Sequence, residues 1–313
     1  MNRLLGTIDL DKFKMKLAPI VLFVYNRPNH TKKSLDYLKK NKLAKKSIIY
    51  IFSDAPKNKQ SKNKVAEVRK LIHNLKGFKK KKIIIRKKNF GLSKNIINGV
   101  TQICNKYGKI IVLEDDILTT PFFLRYMNDA LNLYSNNHNV SSISGYSFPI
   151  NNKKKEYYFL RLSECWGWAT WKRSWSLFEK DGNKILKNLN TKKKKYDFNF
   201  EDTFNFLRML KNFCLGKNDS WAIRWYGQCF LQKKLTLFPP KSFIENIGMD
   251  NSGNHSINTN NYKSKLIKSY KKPKMIIVKE SRYHFEEMKK FFKKTEPKKN
   301  LILRIKNYLF NKI

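Results

Sequence analysis

Between residues 19 and 134 the chain alternates short, continuously apolar runs with longer stretches whose apolar residues recur at helical spacing. The runs cover 20–25, 47–52, 83–86 and 110–113; the helical stretches that follow them cover 31–40, 62–74, 93–106 and 121–134. Runs apolar on both faces, separated by amphipathic helices, predict a mostly parallel sheet covered by helices, an α/β fold. After Gly145 the pattern loosens into an aromatic-rich half that holds all six Trp, from Trp166 to Trp225. Within it a lysine run, 192–195, predicts an exposed loop. From 251 the chain is polar, and 262–313 carries 17 basic against 4 acidic residues, with helical period over 284–294 and 301–312. These shifts divide the chain into an N-terminal extension (1–18), an α/β half (19–145), an aromatic half (146–261) and a basic helical tail (262–313). No internal repeat interrupts this order.

Composition changes the picture only in part. The 313 residues carry 67 Lys+Arg against 23 Asp+Glu, a formal net charge of +44, yet 41% are hydrophobic, enough for a core, so wholesale disorder is excluded. With 12 Gly and 9 Pro, a collagenous or linker-like chain is excluded too. The basic excess is 56 Lys to 11 Arg in a chain rich in Asn and Ile, a bias that AT-rich coding produces by itself. It is equally a surface that draws in anions, be they nucleic acid, phosphorylated small molecules or anionic lipid. Cys104, Cys165, Cys214 and Cys229 form no C-x-x-C or Cys/His cluster, which predicts buried reduced thiols and a cytosolic protein. The first 16 residues lack the continuous apolar core of a signal peptide, and no apolar stretch approaches the roughly 18–20 residues that span a bilayer.

Ligands of open α/β sheets sit beyond the carboxyl ends of the strands, so the residues just after each run are the first candidates. They are Arg27 after the first, Asp54 after the second, the Asn89-Phe90-Gly91-Leu92-Ser93 turn after the third, and Glu114-Asp115-Asp116 after the fourth. Three adjacent carboxylates repel one another unless a counter-charge is present, and Mg²⁺ or Mn²⁺ takes one or two carboxylates together with phosphate oxygens. The other reading is a solvated turn whose acids favour the next helix N-terminus. Asp54 either accepts hydrogen bonds from a base or ribose or closes its own loop as an Asx-turn. Arg27 offers a planar fork for phosphate or a base carbonyl, or is a surface residue before a Pro turn. The Asn89–Ser93 turn reads as an anion-binding helix N-terminus without Walker or dinucleotide spacing. Tryptophan faces suit the apolar side of sugar rings, and they suit a core equally.

These residues also resemble a known family. The 19–27 run with the 34–38 helix behind it resembles the first strand and helix of GT-A glycosyltransferases, the closer likeness being to the N-acetylglucosaminyltransferase I family and to bacterial family 2 type sugar transferases. Val112-Leu113-Glu114-Asp115-Asp116 resembles the acidic motif, and Asn89-Phe90-Gly91-Leu92-Ser93 the N-x-G-L-S turn. The likeness covers about residues 19 to 256 and is strongest up to Asp116. It implies that 19–145 binds a nucleotide sugar through Arg27, Asp54, Glu114 and Asp115, and that Asp116 is the direct ligand of Mn²⁺ or Mg²⁺. It implies that 146–261 binds the acceptor, with Trp166, Trp168 and Trp221 lining it. Asp219, in Asp219-Ser220-Trp221, matches the segment carrying the catalytic base, although Ser220 stands where relatives carry a second acid; Glu201-Asp202 is a rival. His255 matches a late His that completes the metal shell in some GT-A enzymes, or is a surface residue.

Two functions follow. The first is a metal-dependent, inverting glycosyltransferase that moves a sugar from a nucleotide donor, UDP-linked, to a surface polysaccharide or lipid-linked glycan. It is expected in the cytoplasm, with no nucleic-acid partner and with the apolar face of 301–312 resting on the anionic inner face of the plasma membrane or on the protein itself. The second is a non-catalytic nucleic-acid-binding protein, which predicts basic and aromatic residues interleaved on one surface.

Overall fold

The computed structural model describes residues 16–153, 155–250 and 259–295. Its centre is an eight-stranded mixed sheet. The strands are β1 (Ile20–Val24), β2 (Ile48–Ser53), β3 (Lys80–Ile85), β4 (Lys109–Glu114), β6 (Val140–Ser144), β7 (Tyr158–Leu160), β8 (Trp168–Trp171) and β9 (Leu235–Phe238), in the order β3-β2-β1-β4-β8-β6-β9-β7. β3, β2, β1 and β4 are parallel, each a few residues from the expected run, and β8 enters antiparallel between β4 and β6. The halves divided at 145/146 therefore share one sheet. A short second sheet pairs β5 (Ile117–Thr119) with β10 (Ile244–Asn246), antiparallel.

Alternation along the strands makes two cores, because successive side chains leave opposite faces. Ile20, Leu22 and Val24 face α1 (Pro28–Lys39) and α2 (Lys59–His73), in the same apolar cluster as α4 (Phe123–Leu133) and α10 (Arg282–Thr295). Val21 and Phe23 face α3 (Leu92–Tyr107) and α9 (Trp221–Leu231). Gly99 on α3 lies so close to the sheet that an added Cβ would stand 2.7 Å from the Phe23 ring.

Between β8 and β9 the chain is helical: α5 (Lys172–Trp175), α6 (Gly182–Asn188), α7 (Lys192–Phe198), α8 (Phe206–Cys214) and α9. The lysine run expected as a loop is the start of α7. Its N-cap Thr191 accepts the backbone N–H of Lys194 at 3.1 Å, and Tyr196 and Phe198 supply the apolar spacing that the lysines conceal. The basic 284–294 stretch is helical as expected, while 301–312 and most of the N-terminal extension lie outside the described residues. All four cysteines are free; Cys104 and Cys229 are buried, Cys165 and Cys214 half-buried. No helix among the described residues is long and apolar enough to cross a membrane.

Candidate active site

The carboxyl ends of β1 and β4 are neighbours in the sheet, with Phe23 opposite Glu114. That register brings the residues after each strand together. Arg27 donates from Nη2 to Asp115 and, at 3.0 Å, to Asp116. Ser34 on α1 lies 2.9 Å from the carbonyls of both Asp115 and Ile117, tying the turn between β4 and β5 to the helix that follows Arg27. Burial opposes the Arg27 charge, yet Asp115 and Asp116 more than offset it and hold its pKa above the ordinary arginine value. Asp115, buried, is itself pushed up by loss of water and by Asp116, against the pull of Arg27. Glu114 is raised to about 8, first by burial and then by Asp116 and Asp115. One guanidinium thus pairs with two of the three carboxylates, and burial beside them favours the neutral form of the third, Glu114.

Asp116 is the member of the triplet that β10 braces. Its carbonyl accepts the Ile247 N–H at 2.9 Å, and its carboxylate lies over Gly248, where a Cβ would come within 2.9 Å of Cγ. A divalent cation held by this chain fits here in one way. Among the described residues no group of three His, Cys, Asp or Glu gathers to make a cage. A single carboxylate with Gly248 beneath it and Arg27 as its counter-charge suits a cation that arrives with, and is mostly ligated by, phosphate oxygens. His255 lies outside the described residues.

Asp54 is placed at the end of β2, and its carboxylate is largely occupied. It accepts the N–H groups of its neighbour Ala55, of Phe90 at 2.9 Å and of Gly91 at 3.0 Å. It clamps the Asn89–Ser93 turn, and the same turn is held by Asn89 donating to the Ala55 carbonyl. Gly91, at φ +71°, lies where a side chain would be strained, and α3 begins directly after it. These bonds reach across to a second loop and make no Asx-turn, since Pro56 two residues on has no N–H to donate.

Asp219 stands just before α9, 68% exposed, its Oδ1 3.8 Å from Arg224, which also donates to Ser93 at the first turn of α3 and to the carbonyls of Ser220 and Lys180. It therefore sits at the carboxyl edge of the sheet, paired with Arg224 and not with the triplet. The rival Glu201 is tied to Lys289 and Arg282 of α10, which lowers its pKa, and Asp202 accepts from Asn199. Those bonds make Glu201 a docking residue for α10.

The expectation of three acceptor-side tryptophans is corrected for two of them. Trp168 is fully buried, stacked on Trp221 at 5.5 Å and flanked by Trp175 and Trp225, with Trp221 itself 4% exposed. They form the core between β8, α3 and α9 and offer no face to a sugar. Trp166 is half-buried and packs edge-on to Tyr146 and Tyr262. Two residues that sequence reasoning passed over stand at the same edge. Glu164, buried two residues before Trp166, is raised to about 8, chiefly by burial, and its charge acts on neighbouring Glu114. Gly248 is the other. Because β8 runs against β4, the residues before β8 lie at the edge reached by residues after the parallel strands; that direction is the signal that finds Glu164.

No protein-family profile and no curated protein matches the chain. Solved structures with partial similarity include residues 1–349 of TarS from S. aureus (11% identity over 72% of this chain and 59% of that one, TM-score 0.38). Others are a Pyrobaculum calidifontis mannosyltransferase in complex with GDP-Man and Mn²⁺ (10%, 68% and 74%, 0.36) and mouse xyloside xylosyltransferase 1 (8%, 71% and 84%, 0.38). The similar region spans 21% of a longer TarS structure.

Proposed function

We propose that the protein is a glycosyltransferase of the GT-A arrangement, transferring a sugar from a nucleotide donor, UDP-linked, to a hydroxyl of a glycan or lipid-linked glycan with inversion. The observation that carries the reading is the convergence of Glu114-Asp115-Asp116 and Arg27 at the carboxyl ends of adjacent central strands, where ligands of such sheets bind. In this reading Asp116 holds Mn²⁺ or Mg²⁺, which supplies neutralisation of the departing diphosphate. Arg27 presents the fork that meets phosphate; its bonds to Asp115 and Asp116 keep it aimed at the turn. Asp115 and Glu114 face the ribose and sugar, and a Glu114 that carries its proton can donate to a sugar oxygen. Asp54 acts by shaping the Asn89–Ser93 turn.

The base is Asp219, an exposed carboxylate at the same edge, where it can take the proton of an acceptor hydroxyl attacking the face opposite the leaving group. Trp166 is the acceptor-side aromatic. A panel of nucleotide sugars incubated with and without Mn²⁺, followed for nucleoside diphosphate release, tests this. At least one donor is expected to turn over only with the cation, and Asp116→Asn is expected to lower that rate by roughly 100-fold or more. If no nucleotide sugar is bound or cleaved with metal present, the reading is wrong.

A further inference from the structure

One cavity lies beside β10, which pairs with the strand after the acidic turn, and a second shares the 260–263 segment with it. The nearer one, about 220 Å³, has Tyr146, Glu245, Asn246 and Tyr262 in its walls. The farther one, about 380 Å³, lies between the 149–151 segment and α10, and takes Lys290 and Lys294 into its lining. Asn260 and Lys263 line both, so the two cavities flank the 260–263 segment, and we take them together as one groove.

Its two ends differ in chemistry. At the near end Asn246 sits on β10 opposite Ile117, one residue from the acidic turn, and the next residue but one is the glycine under Asp116. The Tyr146 hydroxyl donates to the Tyr262 carbonyl at 2.6 Å, and Trp166 packs edge-on against both rings, so the aromatic wall is fixed. Rings beside a carboxylate and an amide suit a pyranose, which has apolar faces and a rim of hydroxyls. At the far end three lysines meet one carboxylate. Glu287 pairs with Lys290 at 2.6 Å; Lys263 and Lys294 have no acid within ion-pair distance among the described residues. An uncompensated pair of cations in a concave wall attracts an anion.

We infer that this groove is the acceptor site and that the acceptor is an anionic glycan, its sugar end against Tyr146 and Tyr262 and its phosphate or carboxylate on Lys263 and Lys294. The inference rests on the glycosyltransferase reading only for the word acceptor. The shared chemistry, a sugar with a negative group beyond it, belongs to a lipid diphosphate-linked glycan and to an acidic polysaccharide alike.

Equilibrium binding separates these outcomes with three fluorescent probes: a decyl diphosphate-linked disaccharide, a uronic-acid tetrasaccharide and a neutral tetrasaccharide. One anionic probe is expected to bind about tenfold or more tighter than the neutral one, and which one does so identifies the source. The variant Lys263→Ala/Lys294→Ala is expected to lose that advantage. Lys45→Ala/Lys46→Ala removes the same charge at the opposite end of β2, and is expected to change binding by less than about twofold. Mn²⁺-dependent UDP binding should be equal in both variants. Equal affinity for all three probes, or equal losses in the two variants, overturns the inference whatever the donor screen returns. Selective anionic-glycan binding without any nucleotide-sugar binding upholds the groove and rejects the transferase.

Discussion

Ser144 has one hydroxyl proton and two acceptors facing it, the Tyr146 carbonyl and Glu164 Oε2, both at 2.9 Å. If the proton goes to the carbonyl, the second contact needs a proton from Glu164, and a carboxyl raised to about 8 carries one at neutral pH. Its other oxygen accepts the Trp166 N–H at 2.7 Å, so this acid positions the aromatic wall of the groove. The sign of the linkage follows: a carboxyl whose folded pKa is raised adds stability that is complete below its unfolded value, about 4.3, and is lost as pH climbs through about 8. Glu164→Gln keeps both contacts without a titrating proton. It is therefore expected to unfold at a higher temperature than the parent above pH 8, with the gap closing toward pH 5, in melting curves across that range. Glu114, raised in part by the Glu164 charge, is relieved of that contribution in the variant, which widens the gap in the same direction. A second prediction concerns the glycine under Asp116. Gly248→Ala places a methyl against the carboxylate, which must swing aside. Donor cleavage is expected to fall by roughly tenfold or more and the melting temperature to fall with it, because Asp116 Cβ, 3.0 Å from the new methyl, cannot rotate away.

The elements show what a single sequence can and cannot reveal. β1, β2 and β4 were legible because each is buried on both faces, β3 at the sheet edge only through its 83–85 run, and the helices because each carries one apolar stripe, periods that survive a lysine-rich background. Arg27 and the acidic triplet were legible for the same reason, since parallel strands deliver their ends to one edge. α7 was concealed by four lysines occupying its first turns. Glu164 was missed because an antiparallel strand reverses which end faces the site, and strand direction is written in no local pattern. Trp168 and Trp221 were ambiguous because a platform and a core use the same residue. Helix α3 carries a prediction at this scale: its N-terminal turn is held by Asp54, and its middle approaches β1 through Gly99. Gly99→Ala brings a methyl to 2.7 Å of the Phe23 ring, itself stacked on Phe52 and unable to yield freely. The helix is expected to lift, costing about 1–3 kcal/mol in chemical denaturation and weakening nucleotide binding as the turn shifts.

Across the whole molecule, a net charge of +44 on 313 residues guarantees attraction to any polyanion, so retention on nucleic acid is by itself uninformative about function. The arrangement of aromatic residues discriminates. Among the described residues every Phe and Trp ring but Phe90, which lies under Arg86 and Lys94, belongs to the two cores, and the large exposed aromatics are Tyr37, Tyr196 and Tyr283, one on each of α1, α7 and α10. Scattered rings on separate helices build no stacking platform for successive bases, which leaves phosphate contacts as the source of any nucleic-acid affinity. Such binding is expected to fall steeply and linearly in log affinity against log salt, with little preference among single-stranded sequences. The carboxylates of the acidic turn oppose it, so Asp116→Asn should leave it unchanged or slightly tighter. Binding of UDP with Mn²⁺ is expected to behave oppositely: to persist at a salt concentration that releases an oligonucleotide, and to vanish in Asp116→Asn. Filter binding of a labelled oligonucleotide and calorimetry of UDP, each at several salt concentrations on both proteins, measure the two slopes. If the substitution weakened both ligands together, the acidic turn would be supporting the fold and not a metal-bound diphosphate.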